Sequence, residues 1–589
     1  MAFKKEKKIQ KVDDSMRRIV RMLNPGRVAW LFIFLVIQVT AMLAIPTFSA
    51  EIIDNGVATG DIDYIMKYGG IMIGIAVLGF ISSIINVYLT STESQAVGSK
   101  LREQLFDKIL NFTNEEIDKF GTSTLMTRTT SDVLQIQQVL VMALRFLILD
   151  PLRILIAAIL AFTREPKLAF VFLITVPILL FFIILILRKV NPLFRSLQVK
   201  TDRLNRIFRE GLTGIRVIRA FNREEYEEDR FDKANKDYAD TSISAHIYMS
   251  FLNPIMILLT SATSIMIIWF GAQYVSIGEM QVGNLVAFTS YSFNILMGIM
   301  MLSMIITMLP RMQVAIERVF QVLDAQNEII DKERPTPLDS KSKEVSLAFN
   351  HVNFRYPSAE KLALEDIDFS IKDGEKVAII GGTGAGKTTL ANLILRLYDI
   401  ESGSIEINGI DITNVSQHDL RKMIGFATQN ALLFSGTIRE NLKYGNDEAT
   451  DDELWHALEV AQGKDFVSKL PDGLASRVEQ GGANFSGGQR QRLSIARALA
   501  TDAKVLVFDD SFSALDFRTD ARLRKALEPE TRDKAVIIIA QRISTVVDAD
   551  QILVLDNGKL AGKGTHEELK ETNKVYQEII DSQMKGEDI

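Results

Sequence analysis

The chain has 589 residues, about four times the length of a typical domain, which excludes a single hydrophobic core. Hydrophobic residues make up 47% of it and charged residues 24%, a balance that excludes a disordered chain, a collagen-like chain and a nucleic-acid-binding tail protein. The formal net charge is −6, and the lack of cysteine excludes disulfide bonds, thiolate zinc sites and thiol catalysis.

The N-terminal segment is basic and polar. Lysine and arginine recur between Lys4 and Arg21, and the apolar stretch that follows is neither short nor followed by a small-residue cleavage pattern. We therefore interpret residues 1–27 as an uncleaved elbow that faces the cytoplasm.

Six nearly uninterrupted apolar stretches follow within residues 28–325. Each is about 20 residues or longer, which is enough for a helix to cross a hydrocarbon core of about 30 Å. A buried helix of a soluble protein is usually shorter and shows one polar face. The sequence therefore predicts six transmembrane helices. Their apolar stretches are Val28–Ala50, Gly69–Thr90, Val139–Phe162, Leu168–Leu187, Ile247–Phe270 and Leu285–Leu309.

The connections between the stretches predict the orientation. The two long connections, residues 91–138 and 188–246, are rich in lysine and arginine, whereas the three short ones are nearly free of them. Basic connections stay on the cytoplasmic side of a membrane. We therefore expect both long connections and both termini to lie in the cytoplasm.

The long connections also carry a helical pattern. Leu101, Leu105, Ile109 and Phe112 recur at intervals of three and four residues. The helices are thus expected to continue beyond the membrane, where their ends could contact a cytoplasmic domain. The alternative is a solvated helical hairpin.

Two sets of residues within the predicted spans invite a functional interpretation. A methionine stripe on the sixth span could repack around varied apolar ligands, or it could simply pack against a neighbouring helix. Charges on the third span are expected to face a wet cavity, although a structural ion pair near the cytoplasmic end is the alternative. The stripe comprises Met297, Met300, Met301, Met304 and Met308, and the charges are Arg145, Asp150 and Arg153.

A polar segment rich in proline, serine and charge separates the apolar part from the rest of the chain. Residues 326–344 therefore read as a linker, and residues 345–589 as a second domain. Short β-branched runs such as Lys376–Ile380 and Val505–Phe508 alternate there with helical patterns. That alternation is typical of an α/β domain with a largely parallel sheet.

A phosphate-binding loop follows the first of these runs. Its sequence matches G-x-x-x-x-G-K-[ST], in which glycines allow backbone N–H groups to surround phosphate oxygens. Lys387 would supply a cation and Thr388 a hydroxyl ligand for Mg²⁺. The predicted loop comprises Gly381, Gly382, Thr383, Gly384, Ala385, Gly386, Lys387, Thr388 and Thr389.

Two consecutive carboxylates end the second run. Asp509 is suited to hold Mg²⁺, and Asp510 lies where a base for the attacking water belongs. Alone, this pair would be a weak signal.

The sequence FSGGQRQR, from Phe485 to Arg492, resembles the signature of ATP-binding-cassette (ABC) proteins. The whole chain resembles one half of an ABC exporter, an α-helical membrane domain of six transmembrane helices followed by an α/β P-loop ATPase cassette. The resemblance implies ATP and Mg²⁺ as ligands and a dimer in which each signature completes the partner's phosphate site. It also implies that Glu210–Phe221 is a coupling segment that docks on a cassette.

The matching motifs occur in the order of the family. By resemblance, Tyr356 stacks on adenine, Gln429 contacts Mg²⁺ and the membrane loops, and Asp509 holds the metal. Thr388 and Gln429 complete the implied metal ligands. The signature residues Ser486, Gly487, Gly488 and Gln489, and Asp516 of the SALD motif, would contact nucleotide.

Three positions depart from the family pattern, and the least important is Gln480, where exporters often have a glutamate. Asp510 stands where a glutamate base is usual, and its side chain is shorter by a carbon–carbon bond of about 1.5 Å. Gln541 stands where the family has a switch histidine, and an amide can bind a γ-phosphate but cannot become charged. We therefore expect slow or absent hydrolysis of ATP held by this chain's own phosphate loop.

These features together resemble the degenerate-site half of a heterodimeric bacterial multidrug exporter. The expected partners are a second half-transporter, membrane lipid and apolar or amphipathic substrates, with no nucleic acid, in the cytoplasmic membrane of a bacterium. The alternatives are a lipid or peptide exporter, a homodimeric exporter that uses Asp510 as its base and, more remotely, an ATP-gated channel or regulator.

Overall fold

The computed structural model describes residues 14–339, 344–357 and 359–587, so the basic residues from Lys4 to Lys11 lie outside the described part. The chain divides into two compact units. One unit contains Thr122–Ala325 and the chain before Asn111, and the other contains Asn111–Gly121 and Gln326–Ile589.

The first unit is helical, and it confirms the predicted six spans. Six of its helical segments are long and apolar enough to cross a membrane. The helices of this part of the chain are α1 (14–22), α2 (Pro25–Glu51), α3 (Ile62–Leu110), α4 (Asn114–Phe120, in the second unit), α5 (Thr122–Thr127), α6 (Val133–Arg164), α7 (Pro166–Thr213), α8 (Ile215–Ala220), α9 (Glu224–Ser250), α10 (Leu252–Ser276) and α11 (Val282–Leu323).

Helices α3 and α7 extend well beyond their apolar stretches, as their sequence periodicity predicts. They contain 49 and 48 residues. At 1.5 Å per residue each is about 70 Å long, more than twice the thickness of a hydrocarbon core. More than half of each helix therefore lies outside the lipid.

A π-helical turn, Ile52–Val57, ends α2 and contacts the start of α11. The Asp54 carboxylate accepts a hydrogen bond of 2.6 Å from the backbone N–H of Gly283. A Cβ added to Gly283 would lie 2.3 Å from the carbonyl oxygen of Ala50, so only glycine permits this approach. Asp54 thus caps α11 from a neighbouring helix.

The predicted coupling segment Glu210–Phe221 comprises the end of α7, a break at Gly214 and the short helix α8. Val217 is 61% exposed and Phe221 72% exposed. Its docking on a cassette stays a prediction.

The second unit contains the predicted α/β domain. Its main sheet has the strand order β12-β11-β3-β10-β9-β6, in which only β12 is antiparallel to its neighbour. A second, antiparallel sheet has the order β2-β1-β4-β5. The strands are β1 (Ser346–Phe354), β2 (Leu364–Lys372), β3 (Lys376–Gly381), β4 (Ser402–Ile407), β5 (Ile410–Asp411), β6 (Ile424–Ala427), β7 (Gly436–Thr437), β8 (Arg477–Val478), β9 (Val505–Asp509), β10 (Ala535–Ala540), β11 (Gln551–Asp556) and β12 (Lys559–Gly564).

Helices cover the main sheet on both faces, so its central strands are buried on both sides. Along β3, Ala378 and Ile380 point into one hydrophobic cluster, and Val377 and Ile379 into another. This is why the strand reads as a continuous apolar run. The helices are α12 (Lys387–Ile394), α13 (Gln417–Lys422), α14 (Ile438–Lys443), α15 (Asp451–Val460), α16 (Lys464–Val467), α17 (Gly487–Leu499), α18 (Phe517–Glu530), α19 (Ile543–Val546), α20 (His566–Thr572) and α21 (Lys574–Glu587).

Helix α4 belongs to the second unit although its sequence lies between two membrane spans. The Glu116 carboxylate accepts a hydrogen bond of 3.0 Å from the backbone N–H of Glu328. The Tyr398 hydroxyl donates to the Asp118 carboxylate at 3.3 Å. Residues 111–121 are therefore part of the cassette unit through specific polar contacts.

Candidate nucleotide site

The phosphate loop connects β3 to α12 and depends on its glycines. Gly384 and Gly386 have φ values of +82° and +103°, which side chains with a Cβ rarely adopt. A Cβ on Gly381 would lie 2.3 Å from the carbonyl oxygen of Leu555. The loop can therefore turn tightly and present its backbone N–H groups, together with the N-terminus of α12, to an anion.

Lys387 lies at the start of α12 and folds back over the loop. Its Nζ donates hydrogen bonds of 2.8 Å to the carbonyl oxygens of both Gly381 and Gly382. Burial lowers the pKa of Lys387, while the carboxylates of Asp510 and Asp509 act in the opposite direction. These acidic neighbours favour the charged form of the ammonium group, which is available to a phosphate.

The loop opens into a cavity of about 1000 Å³. Tyr356 forms one wall, where its hydroxyl lies 3.0 Å from the hydroxyl of Thr389. The edges of the Phe354 and Tyr398 rings meet the Tyr356 ring at centroid distances of 4.9 and 5.3 Å. The residues that line the cavity include Tyr356, Thr383, Gly384, Gly386, Lys387, Thr388, Thr389, Gln429, Asp509, Asp510 and Gln541, all of them predicted from the sequence.

Asp509 ends the buried strand β9 and is 3% exposed. Burial raises its pKa to about 6, against the effect of a hydrogen bond from Thr388. A buried carboxylate of this kind is stabilised by a nearby cation.

Asp510 follows Asp509 in a left-handed conformation, with φ of +47°. Its Oδ2 accepts a hydrogen bond of 2.8 Å from the Gln541 amide and one of 3.2 Å from the Gln429 amide. Its backbone N–H donates to the carbonyl oxygen of Ile539 at 2.8 Å. The structure thus brings all three predicted catalytic side chains together on one carboxylate oxygen.

The two amides determine what the Asp510 carboxylate can do. Burial raises the pKa of Asp510, and the hydrogen bond from Gln429 opposes that rise. A water that approaches Oδ2 must compete with two N–H donors. Oδ2 is therefore already engaged by two amide hydrogen bonds in this structure.

The residues around Asp509 fit a magnesium ion. Thr388, Gln429 and Asp509 offer hydroxyl, amide and carboxylate oxygens, which are the donors that Mg²⁺ prefers. An ion held by these residues would supply positive charge that neutralises part of the charge of a nucleotide's terminal phosphates.

The signature residues lie apart from this cavity, at the N-terminus of α17. The Ser486 hydroxyl oxygen accepts a hydrogen bond of 3.3 Å from the Gln489 backbone N–H, and Gln489 Oε1 accepts one of 2.9 Å from the Ser486 backbone N–H. Gly488 approaches the SALD motif, because its Cβ would lie 3.3 Å from the carbonyl oxygen of Ala514. Asp516 caps α18 through Thr519.

Neither Ser486–Gln489 nor Asp516 lines the cavity of the same chain. Other cavity residues had no sequence motif to mark them, namely Lys361, Leu362, Ala363, Glu365, Ile539, Asn557 and Gly558. They come from strands and loops that the fold brings to the phosphate loop.

The charged residues of the third span do not behave as the sequence suggested. Arg153 and Asp150 form an ion pair of 2.6 Å within α6 and are 9% and 1% exposed. Arg153 faces Gly298 of α11, where an added Cβ would lie 3.5 Å from Arg153 Nε. For Asp150 and Arg153 the expectation of a wet cavity is wrong, and their burial favours a structural ion pair, although the pair lies near the middle of the predicted span and not at its cytoplasmic end. The expectation for Arg145 stays a prediction.

The methionine stripe divides between two environments. Met300 packs against a buried cluster that includes Leu179 and Met256, whereas Met304 is 54% exposed. One methionine of the stripe therefore packs against neighbouring side chains, and another is exposed at the surface of the chain.

Comparisons with known proteins agree with this architecture. Residues 28–300 match the family model for the ABC transporter transmembrane region, and residues 364–513 match the ABC transporter model. An uncharacterized ABC transporter ATP-binding protein of Mycobacterium tuberculosis (strain CDC 1551 / Oshkosh) is 41% identical over 94% of this chain and 96% of its own length.

Two further relatives have more specific names. An ATP-dependent lipid A-core flippase of Desulfotalea psychrophila is 35% identical over 78% of this chain and 80% of its own length. A probable multidrug resistance ABC transporter ATP-binding/permease protein of Bacillus subtilis (strain 168) is 33% identical over 82% of each chain.

Among solved structures, a bacterial Atm1-family ABC exporter with ATP bound has a similar fold. It superposes with a TM-score of 0.79 over 95% of this chain and 98% of that chain, at 24% identity.

Proposed function

Because this chain belongs to the ABC transporter family, we propose that it is the degenerate-site half of a heterodimeric exporter that uses ATP to move apolar or amphipathic molecules out of the cytoplasm. The observation that carries the proposal is the Asp510 carboxylate, held by the amides of Gln429 and Gln541.

The first step of the argument concerns hydrolysis at this chain's own phosphate loop. A general base must reach the attacking water and accept its proton. Asp510 is shorter than the usual glutamate and already accepts two hydrogen bonds, and Gln541 cannot carry charge. We infer that ATP bound to Lys387 and its neighbours stays intact for longer than at a glutamate-containing site.

The second step concerns the signature. Ser486–Gln489 form a regular helix start that does not line the chain's own cavity. A helix N-terminus with a serine hydroxyl suits a phosphate group. We infer that this signature completes the phosphate site of a partner chain, which carries the hydrolysing residues.

In the proposed cycle, ATP binding favours closed cassettes, and the coupling segments pass that change to the spans. Binding can shift this equilibrium only by the difference in ATP affinity between the two states. Hydrolysis at the partner's site then resets the exporter. The degenerate site acts as a long-lived clamp.

The proposed location is the cytoplasmic membrane of a bacterium, with both termini in the cytoplasm. The basic long connections, residues 91–138 and 188–246, support this orientation.

The proposed cargo is an apolar or amphipathic drug. The relative named for multidrug resistance and the exposed Met304 support this class. Lipid export is the second candidate, and the relative named as a lipid A-core flippase favours it. Vesicles that contain the exporter should distinguish the two cargoes by whether a fluorescent drug or a fluorescent lipid moves against its gradient.

The proposed function is tested by the asymmetry of the two ATP sites. The tagged chain is expressed in its source bacterium and purified with its partner, and the ATPase rate of the complex is measured. We expect Ser486→Ala to lower the rate and Asp510→Asn to leave it nearly unchanged. A homodimer with brisk ATPase activity that Asp510→Asn abolishes would refute the proposal.

A gain-of-function variant provides the matched control. In Asp510→Glu/Gln541→His the usual base and switch residues return to this chain's site. A well-placed general base contributes roughly 10²-fold or more. We therefore expect a complex whose partner site is inactivated to regain measurable hydrolysis only in the double variant.

A further inference from the structure

Gln583, on the C-terminal helix α21, holds the loop that carries Gln541. Its side-chain Nε2 donates a hydrogen bond of 2.7 Å to the carbonyl oxygen of Gln541. Its Oε1 accepts one of 2.9 Å from the backbone N–H of Ile543. One half-buried amide thus satisfies a backbone acceptor and a backbone donor on either side of Arg542.

These two bonds fix the main chain at the point where the Gln541 side chain leaves it. Gln541 Nε2 in turn donates to Asp510 Oδ2 at 2.8 Å. A continuous series of hydrogen bonds therefore runs from α21, through the backbone of Gln541, to the carboxylate at the phosphate site. Such bonded series rigidify the groups they connect.

Helix α21 is itself anchored in the core of the cassette. Tyr576, one of its first residues, is fully buried, and its hydroxyl lies 2.8 Å from His566 Nδ1. Ile579 and Ile580 pack against the same hydrophobic cluster as the sheet. Gln583 is seven residues beyond Tyr576, about 10 Å along the helix. The anchor thus gives the Gln583 amide a defined position.

We propose that Gln583 is a positioning residue, which acts through Gln541 to hold the γ-phosphate of ATP at this chain's site. The inference rests on the proposed function, because it requires that the site retains ATP. A contact that only docks α21 on the cassette would stabilise the fold without affecting ATP and ADP differently.

The test measures the release of radiolabelled ATP and ADP, each with Mg²⁺, by filter binding from the full-length chain in complex with its co-purified partner. In Gln583→Ala we expect ATP to leave roughly tenfold faster, since two backbone hydrogen bonds are lost. ADP release should not change, because ADP has no γ-phosphate. Gln583→Glu should also release ATP faster, since its carboxylate cannot donate to the Gln541 carbonyl oxygen.

Gln577→Ala is the matched control. Gln577 lies on the same helix, and its amide donates to the carbonyl oxygens of Lys570 and Glu571 instead of to the loop that carries Gln541. We expect release of both nucleotides from this variant to match that of the unsubstituted chain.

A double-variant cycle tests whether Gln583 acts through Gln541. Gln541→Ala/Gln583→Ala should release ATP no faster than Gln541→Ala alone. Additive effects, equal acceleration of ADP release or no change in Gln583→Ala would overturn the inference while the proposed ATP clamp stands. Rapid release of ATP from this chain's site in the unsubstituted complex would instead overturn the proposed function and this inference with it.

Discussion

The buried ion pair of α6 allows a prediction about stability. Removal of one partner should destabilise the protein, whereas replacement of both should not. Arg153→Met deletes the cation and keeps much of the side-chain volume. Asp150, which is 1% exposed, then keeps its carboxylate inside the unit. Both Asp150 oxygens lack a hydrogen bond to any described residue apart from the Arg153 ion pair, so nothing else compensates the charge.

The expected magnitude follows from this burial. Removal of one partner from a buried ion pair costs about 3–5 kcal/mol, because the remaining charge is uncompensated. For a domain of a few hundred residues this corresponds to an apparent Tm roughly 5–15 °C lower. Replacement of both partners by apolar residues is often neutral or stabilising. Asp150→Leu/Arg153→Met should therefore recover the loss.

The assay is thermal unfolding of the full-length protein in detergent, at one scan rate for all variants, because unfolding of membrane proteins is commonly irreversible. Arg145→Met is the control, since Arg145 lies on the same helix, with its guanidinium 5.0 Å from the Phe146 ring. We expect that control to cost less than about 1 kcal/mol. A double variant that is less stable than Arg153→Met would refute the reasoning.

Three further predictions concern local features. Asp54→Ala removes the cap of α11 and should cost about 1 kcal/mol, measured as a lower apparent Tm; an unchanged Tm would contradict the capping role. Burial raises the pKa of Glu115, in α4, from 4.5 to about 7. The folded state therefore binds the proton of this carboxyl group more tightly than the unfolded state does. The protein should lose stability as the pH rises between these two pKa values. Hydrogen exchange of residues 111–121, corrected for its intrinsic pH dependence, should therefore accelerate over that range, and the same slope in Glu115→Gln would rule the effect out. Gly403→Ala forces a Cβ to 2.5 Å from the His351 carbonyl oxygen at φ of +94° and should destabilise the cassette by about 2 kcal/mol or more in calorimetry. Gly409→Ala, at φ of +71° with open space around it, should cost less, and equal losses would argue against the contact.

The sequence predicts the six spans and the cassette because both depend on local patterns. Hydropathy over about 20 residues identifies a span, and the three- and four-residue spacing from Leu101 to Phe112 predicts that the helix continues beyond the membrane, as α3 does to Leu110. The π-helical turn Ile52–Val57 has no such signal. It accompanies the close approach of Gly283, which is 226 residues beyond Val57.

In the candidate site, too, some features follow from local sequence patterns and others depend on residues that are distant in the sequence. A motif of consecutive residues predicts the phosphate loop, and a strand that ends in acidic residues predicts Asp509 and Asp510. The two amides on one Asp510 oxygen come from Gln429 and Gln541, which are distant in the sequence and meet only in the folded sheet. Gln583 lies in a helix without any motif, and its contact with the loop that carries Gln541 arises only in the folded structure.

The ion pair of α6 shows that a sequence pattern can identify unusual residues and still predict the wrong environment for their side chains. Asp150 and Arg153 are conspicuous in an apolar run, and charges there often line aqueous cavities. Their spacing of three residues also allows them to neutralise each other. Burial against Gly298 depends on how α6 and α11 pack, which the sequence pattern does not specify.

Helix α4 changes how many peptide junctions connect the two units. With Asn111–Gly121 in the cassette unit, the chain passes between the units three times, after Leu110, after Gly121 and after Ala325. A movement of the second unit relative to the first would therefore be transmitted to α3, α5 and α11 through the covalent backbone. Mechanical work from nucleotide binding would thus be shared among three covalent connections, and lengthening the one after Ala325 would leave the other two unchanged.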